Sequence, residues 1–224
     1  MSANAKPVIF TKWAIAALLL LNACAPSRLV KPLKKGEQIV SGSFGGPLIK
    51  FSGAPIPLPF TTFSYAKGIT DKISGFASLH STSLLFGNLQ TDLGICMDVY
   101  TKNKFGISIT PAIQTALSFK SAQAIRLWPS LDANFRYEFT KGFLYAGTHS
   151  WFEFSKTRAN DTKQERWLLP NYHIGFTKTN PKWNHQFEVK LLLPNTSIYP
   201  GVVDYMGING KGAIGLYYCV TRKF

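Results

Sequence analysis

The feature that most constrains this chain is strict alternation of apolar and polar residues over long stretches. In LDANFRYEF, Leu131, Ala133, Phe135, Tyr137 and Phe139 fall on one face, and Asp132, Asn134, Arg136 and Glu138 on the other. DLGICMDVY sets Leu93, Ile95, Met97 and Val99 against Asp92, Gly94, Cys96, Asp98 and Tyr100. FEVKLLL sets Phe187, Val189, Leu191 and Leu193 against Glu188, Lys190 and Leu192, and FGISITPAI repeats the pattern from Phe105. A period of two is a strand signal, because successive side chains leave a pleated strand on opposite faces. No helix of useful length is evident after residue 24.

The alternating runs are 37–44, 60–67, 72–80, 91–100, 105–118, 126–139, 143–155, 167–178, 184–193 and 211–223. Their connections alternate in length. ITDK, TKNK, TKG and NPKW are tight; SGAPIPLP, STSLLFGNLQ, SFKSAQA, SKTRANDTKQER and PNTSIYPGVVDYMGINGKG are long. Short turns at one end and long loops at the other belong to up-and-down barrels, and about ten strands (eight to twelve) sits in their bacterial range. An even count returns both chain ends to the short-turn side. The expected fold is all-β: an antiparallel, up-and-down transmembrane β-barrel over residues 37–224. The segment GGPLIKFSGAPIPLPF stands apart. Its prolines at 47, 55, 57 and 59 exclude a central strand and point to a stiff outer loop, a recognition loop or a plug.

Alternation alone does not say which face meets lipid, since a soluble lipocalin-like barrel shows the same period. Three features favour a membrane. The apolar faces of the best strands carry no charge, Trp128, Trp167 and Trp183 sit near strand ends as in an interfacial belt, and the chain ends GLYYCVTRKF. That last strand, with Gly215, Tyr218, Val220 and the terminal Phe224, resembles the sorting signal of bacterial outer-membrane barrels. The resemblance implies recognition by the barrel assembly machinery and residence among outer-membrane lipids. A closed barrel also leaves no unpaired backbone in lipid.

The N-terminus reads as an address. Lys6 and Lys12 precede a short apolar run from Trp13 to Leu21. A membrane-spanning helix needs about 20 apolar residues, so this run fits a secretory signal instead. Leu21-Asn22-Ala23-Cys24 resembles the lipobox of bacterial lipoproteins: an aliphatic residue, a small residue before the cut and a cysteine after it. The resemblance implies a signal peptide over 1–23 and acylation of Cys24, with the N-terminus anchored on the periplasmic side. Residues 24–36, with two prolines and a run of basic residues, read as a tether to the barrel.

Charge partitions by strand parity. Inward positions hold Asp92, Asp98, Asp132, Arg136, Glu138, Glu153, Glu188 and Lys190. The tight turns and the chain end hold Lys72, Lys102, Lys104, Lys141, Lys178, Lys182, Arg222 and Lys223. The net charge of +14 is thus a basic rim suited to anionic headgroups, and a nucleic-acid partner is not expected in this compartment. Symmetric hairpins place Asn134 opposite His149, His149 opposite His173 and His173 opposite Glu188. Such a row resembles sites that hold metals or sense pH, but its simpler role is a hydrogen-bond network; no metal or cofactor is expected. Arg136 lies between Asp132 and Glu138 on its own strand, and Lys190 is two residues from Glu188. Two inward cations do not neutralise this many carboxylates, so some acids stay hydrated. Tyr100, Tyr145 and Trp151 also point inward. Cys96 and Cys219 lie on distant strands and are expected as free thiols.

The polar network therefore comprises Asp98, Asp132, Asn134, Arg136, Glu138, His149, Glu153, His173, Glu188 and Lys190. A narrow polar lumen of this kind suits a structural, binding or small-solute passage role. The alternative is an outer-surface lipid or peptide hydrolase or acyltransferase; omptin proteases share the strand count. That reading needs His80 clustered at the rim with acids such as Glu153. No Gly-x-Ser-x-Gly elbow is evident, and His149 and Ser150 point to opposite faces, so a non-enzyme is expected.

Overall fold

The alternation resolves into a closed wall. The computed structural model describes residues 27–51, 53–119, 125–156, 163–164, 166–197 and 204–224. The strands are β1 (Gln38–Phe51), β2 (Ala54–Pro57), β3 (Phe60–Thr70), β4 (Ile73–His80), β5 (Asn88–Lys102), β6 (Phe105–Ser118), β7 (Ile125–Phe139), β8 (Gly142–Phe152), β9 (Leu168–Thr179), β10 (Trp183–Ser197) and β11 (Lys211–Lys223). A single helical turn, α1 (Ser81–Leu85), follows β4. Neighbouring strands pair antiparallel in chain order, and β11 closes on β1 from Ile39↔Lys223 to Pro47↔Gly215. Among the described strands only β2 stays outside the wall, paired with the outer end of β1. The fold is therefore a closed, antiparallel barrel of ten strands.

The parity argument assigns the faces. Leu93, Leu131, Phe135, Leu144, Ile174, Phe187 and Val189 point outward and are exposed. Asp92, Ser108, Thr110, Asp132, Asn134, Arg136, His149, Glu188 and Lys190 point inward and are buried. A polar interior inside an apolar jacket is the arrangement lipid requires. The turns at one end are short. Between β5 and β6, Lys102 pairs with Phe105, and Asn103 takes φ 54°, a left-handed conformation that asparagine tolerates.

Local departures from simple alternation correct several expectations. A bulge between Asp98 and Tyr100 puts Val99 and Tyr100 both on the exposed side, so Tyr100 does not line the lumen. Leu193 takes φ 45°, which breaks the pleat and turns it inward against Trp128 and Trp151. Trp128 is not a belt residue: it is buried inside, while Trp167 and Trp183 are exposed near opposite ends. In the proline-rich segment, Pro47 lies within the wall strand β1 opposite Gly215 on β11. From Leu48 onward the strand leaves the wall and folds back on β2 as a hairpin. Pro47 is tolerated because pairing with β3 ends at Gly45↔Phe60.

Residues 27–36 correct the tether reading. Residues 27–33 lie buried or half-buried inside the barrel, and 34–36 are exposed at its short-turn end. Gly36 N donates to Gly68 O, Leu33 N to Ser74 Oγ at 2.7 Å, and Ser108 Oγ to Val30 O at 2.6 Å. Wall side chains thus satisfy backbone groups that a coil buried in a lumen would otherwise strand. Leu29 and Leu33 pack against Ile39, Ala66, Phe76 and Ala112, an apolar patch on the inward face. Entry is steric as well as chemical: a Cβ on Gly68 would lie 2.0 Å from Lys34 O.

Candidate functional site: a plugged, charged lumen

Three charge clusters stack along the lumen, and the N-terminal segment touches each. Nearest the short turns, Arg136 is 1 % exposed and grips Asp98 bidentately, at 2.6 and 2.7 Å, while its Nε donates to Glu138 at 2.9 Å. A planar guanidinium fits a carboxylate in this way, and the pair is charge-assisted. Lys31 from the plug reaches the other Glu138 oxygen at 2.6 Å. Asp132, expected beside Arg136, is engaged elsewhere.

In the second cluster Lys190 Nζ bonds Glu188 at 2.9 Å and lies 4.9 Å from the centre of the Tyr217 ring. Tyr145 OH donates to Glu188 at 2.8 Å, and Ser27 Oγ from the plug donates to its other oxygen at 3.2 Å.

The third cluster is built around Arg28. Its Nη1 donates to Asp132 Oδ1 and Ser130 Oγ, each at 3.1 Å, and its Nη2 to Asp92 Oδ2 at 3.1 Å. Each carboxylate is held from behind by a histidine. His80 Nε2 bonds Asp92 at 3.1 Å and its Nδ1 faces the Thr62 hydroxyl. His149 Nδ1 bonds Asp132, and its Nε2 faces Gln114 Nε2. A proton on Nε2 of His80 and on Nδ1 of His149 lets each ring donate to its carboxylate and accept at its other nitrogen. Phe76 closes one side, its ring centre 5.9 Å from the Arg28 guanidinium carbon. Trp128 and Trp151 lie one inward step further toward the long loops, beyond Ser130 and His149.

The expected straight row does not form. Each hairpin register is shifted by two residues, so Asp132 rather than Asn134 opposes His149, Asn171 opposes His149 from β9, and Lys190 opposes His173. Asn134 still meets His173, in register across Gly147, at 2.6 Å. In the β7–β8 hairpin the shift arises because the turn closes at Phe139↔Gly142, one residue earlier than a turn centred on Lys141-Gly142. Glu153 does not join His80 at a rim. It accepts Trp128 Nε1 at 2.7 Å and the backbone N–H of Ser155. Cys96 and Cys219 are buried free thiols. Among the described residues, no group of three or more histidine, cysteine or acidic side chains is placed to hold a metal.

Arg28, Lys31 and the His80–Asp92 pair were not anticipated as a site. One sequence signal pointed to them. The wall carries Asp92, Asp98, Asp132, Glu138 and Glu188 against Arg136 and Lys190, and the basic run before the first strand supplies the missing cations. The plug does not fill the lumen. Beside it, toward β8–β11, lies a cleft of about 280 Å³ bordered by Lys31, Glu138, Thr177, Asn184 and Gln186. The Thr177 and Asn184 side-chain oxygens there are buried without a protein partner, a setting for water.

No family model matches this chain, and no curated protein matches it. Solved structures do. An outer-membrane channel from Pseudomonas putida F1 superposes with a TM-score of 0.52 at 11% identity, covering 89% of this chain and 100% of the other. The translocator domain of the autotransporter NalP from Neisseria meningitidis gives a TM-score of 0.44 at 10% identity, covering 86% and 90%. The outer-membrane protease OmpT from Escherichia coli gives 0.35 at 9%, covering 88% and 99%. At these identities the likeness concerns fold alone, and the first carries it. The chain has the fold of a bacterial outer-membrane β-barrel.

Proposed function

We propose that this protein is a small-solute channel of the bacterial outer membrane that rests closed, with its own N-terminal segment seated in the lumen. The observation that carries this reading is Arg28, 8 % exposed and bonded to Asp92 on β5 and Asp132 on β7, which flank β6 on one side of the interior. A barrel serving only as a wall has no need of a removable cation there. An enzyme reading finds less support, since His80 faces Asp92 and Thr62 inside the barrel rather than a rim cluster with Glu153.

The lipidation site proposed at Cys24 lies outside the described residues, three positions before Ser27. An extended chain covers at most about 11 Å over that distance. Ser27 meanwhile sits on Glu188, inside a closed wall. The reach from a seated Ser27 to an acylated Cys24 is therefore short, and the anchor pulls against the plug. Assembly through the C-terminal strand ending in Phe224 belongs to the same proposal.

Gly68→Val tests the channel reading without touching the charge clusters. The added Cβ occupies the space of Lys34 O, so the plug unseats while the wall keeps its pairing. Planar-bilayer recording should show a larger, cation-preferring conductance than wild type. Unchanged conductance in a correctly folded Gly68→Val barrel refutes the reading.

A further inference from the structure

The Arg28 contacts define a receptor whose shape is independent of the chain that fills it. Its acids come from the wall: Asp92 from β5 and Asp132 from β7. Both are buried, and both are oriented by histidines of adjacent strands, His80 on β4 and His149 on β8. Ser130 adds a hydroxyl acceptor, and Phe76 offers a ring to the cation. These groups read two different nitrogens of one planar cation, Nη1 through Asp132 and Ser130 and Nη2 through Asp92. An ammonium offers its donors from a single centre and lacks the planar fork that sets two nitrogens against the two carboxylates. Arg28 Nε makes no hydrogen bond in the interior, which leaves recognition to the terminal nitrogens, the part a free solute shares with an arginine side chain.

We infer that the Asp92–Asp132 cleft is a binding site selective for monosubstituted guanidinium cations, and that Arg28 is the internal occupant a guanidinium-bearing solute replaces. This rests on the plugged-channel reading and names the solute class of that channel. The binding step is an exchange of one guanidinium for another, so the lumen keeps its charge balance throughout. That balance explains why the occupant is an arginine: an empty cleft would leave two buried carboxylates uncompensated.

The test uses the full-length protein with Arg28→Ala, which removes the occupant and keeps the chain. In planar bilayers this variant should conduct more than wild type. Methylguanidinium at low millimolar concentration should block that current saturably, and methylammonium should block at least roughly tenfold more weakly, as expected for one lost hydrogen bond to a charged group. Adding Asp92→Asn should abolish the difference between the two cations. If Arg28→Ala folds and conducts like wild type, the plugged-channel reading and the receptor both fall. If it conducts more but the two cations act alike, the channel stands and the guanidinium receptor is overturned. Should Arg28→Ala refold poorly, the yield of heat-modifiable barrel refolded with each cation is measured instead. Recovery by methylguanidinium above methylammonium supports the receptor; equal yields overturn it.

Discussion

Arg136→Met should cost the barrel about 3 kcal/mol. The figure follows from what each partner keeps. Removing one member of a fully buried ion pair costs roughly 3–5 kcal/mol, because the orphaned charge remains in a poorly solvated site. The Arg136 side chain is 1 % exposed, but its partners Asp98 and Glu138 are 11 % and 30 % exposed. Glu138 also retains Lys31. The loss should therefore fall at the low end of the range and come mainly from Asp98, which gives up both bonds to the guanidinium. Adding Asp98→Asn removes the orphaned charge and should return about 1–2 kcal/mol of it, the desolvation penalty of one unsatisfied polar group. Reversible urea unfolding in lipid vesicles, followed by tryptophan fluorescence, measures both variants, and an unchanged slope would show that the compared states are alike. A loss under about 1 kcal/mol for the single variant, or no recovery in the double, would refute the claim that buried pairing holds this end of the lumen.

Cys96 and Cys219 should resist a charged maleimide in the folded barrel and react fully after denaturation; mass spectrometry counts the adducts, and rapid native labelling would contradict their burial. The closed wall should give heat-modifiable gel migration and a β-type circular dichroism spectrum in detergent, and a helical spectrum would contradict it. Intact mass of the purified mature protein should show cleavage before Cys24 with an acylated thiol. Cleavage elsewhere with a free thiol would remove the anchor from the proposal.

What was legible in the sequence is what lipid demands of every strand. Phe135 and Arg136 are assigned to opposite faces by parity alone, because one must meet hydrocarbon and the other cannot. Register was less legible. It depends on whether a turn closes one residue earlier or later, and Thr140-Lys141 and Lys141-Gly142 are both plausible two-residue turns. Either choice keeps every side chain on its face, so parity gives no warning of a two-residue slip. That is why Asp132 and His149 were each placed inward yet not paired. The plug was hidden for another reason. Residues 27–36 have no period, and their fit lies in single matches to distant strands: Arg28 to Asp92, Lys31 to Glu138, Leu33 to Ser74. Charge imbalance alone hinted at it.

The path of the plug orders the folding of the molecule. Ser27 bonds Glu188, 161 residues away in the chain, and Arg28 bonds Ser130, 102 residues away. None of these partners forms an enclosure until β11 pairs with β1. The N-terminal residues therefore leave any ribosome-ordered or translocation-ordered sequence first, yet find their seat last. Contacts of such long span form late, because the entropy of closing the intervening chain is lost before any contact is gained. Until that moment the nascent barrel holds Asp92 and Asp132 without their cation, so its final step is the capture of the segment that carries Arg28.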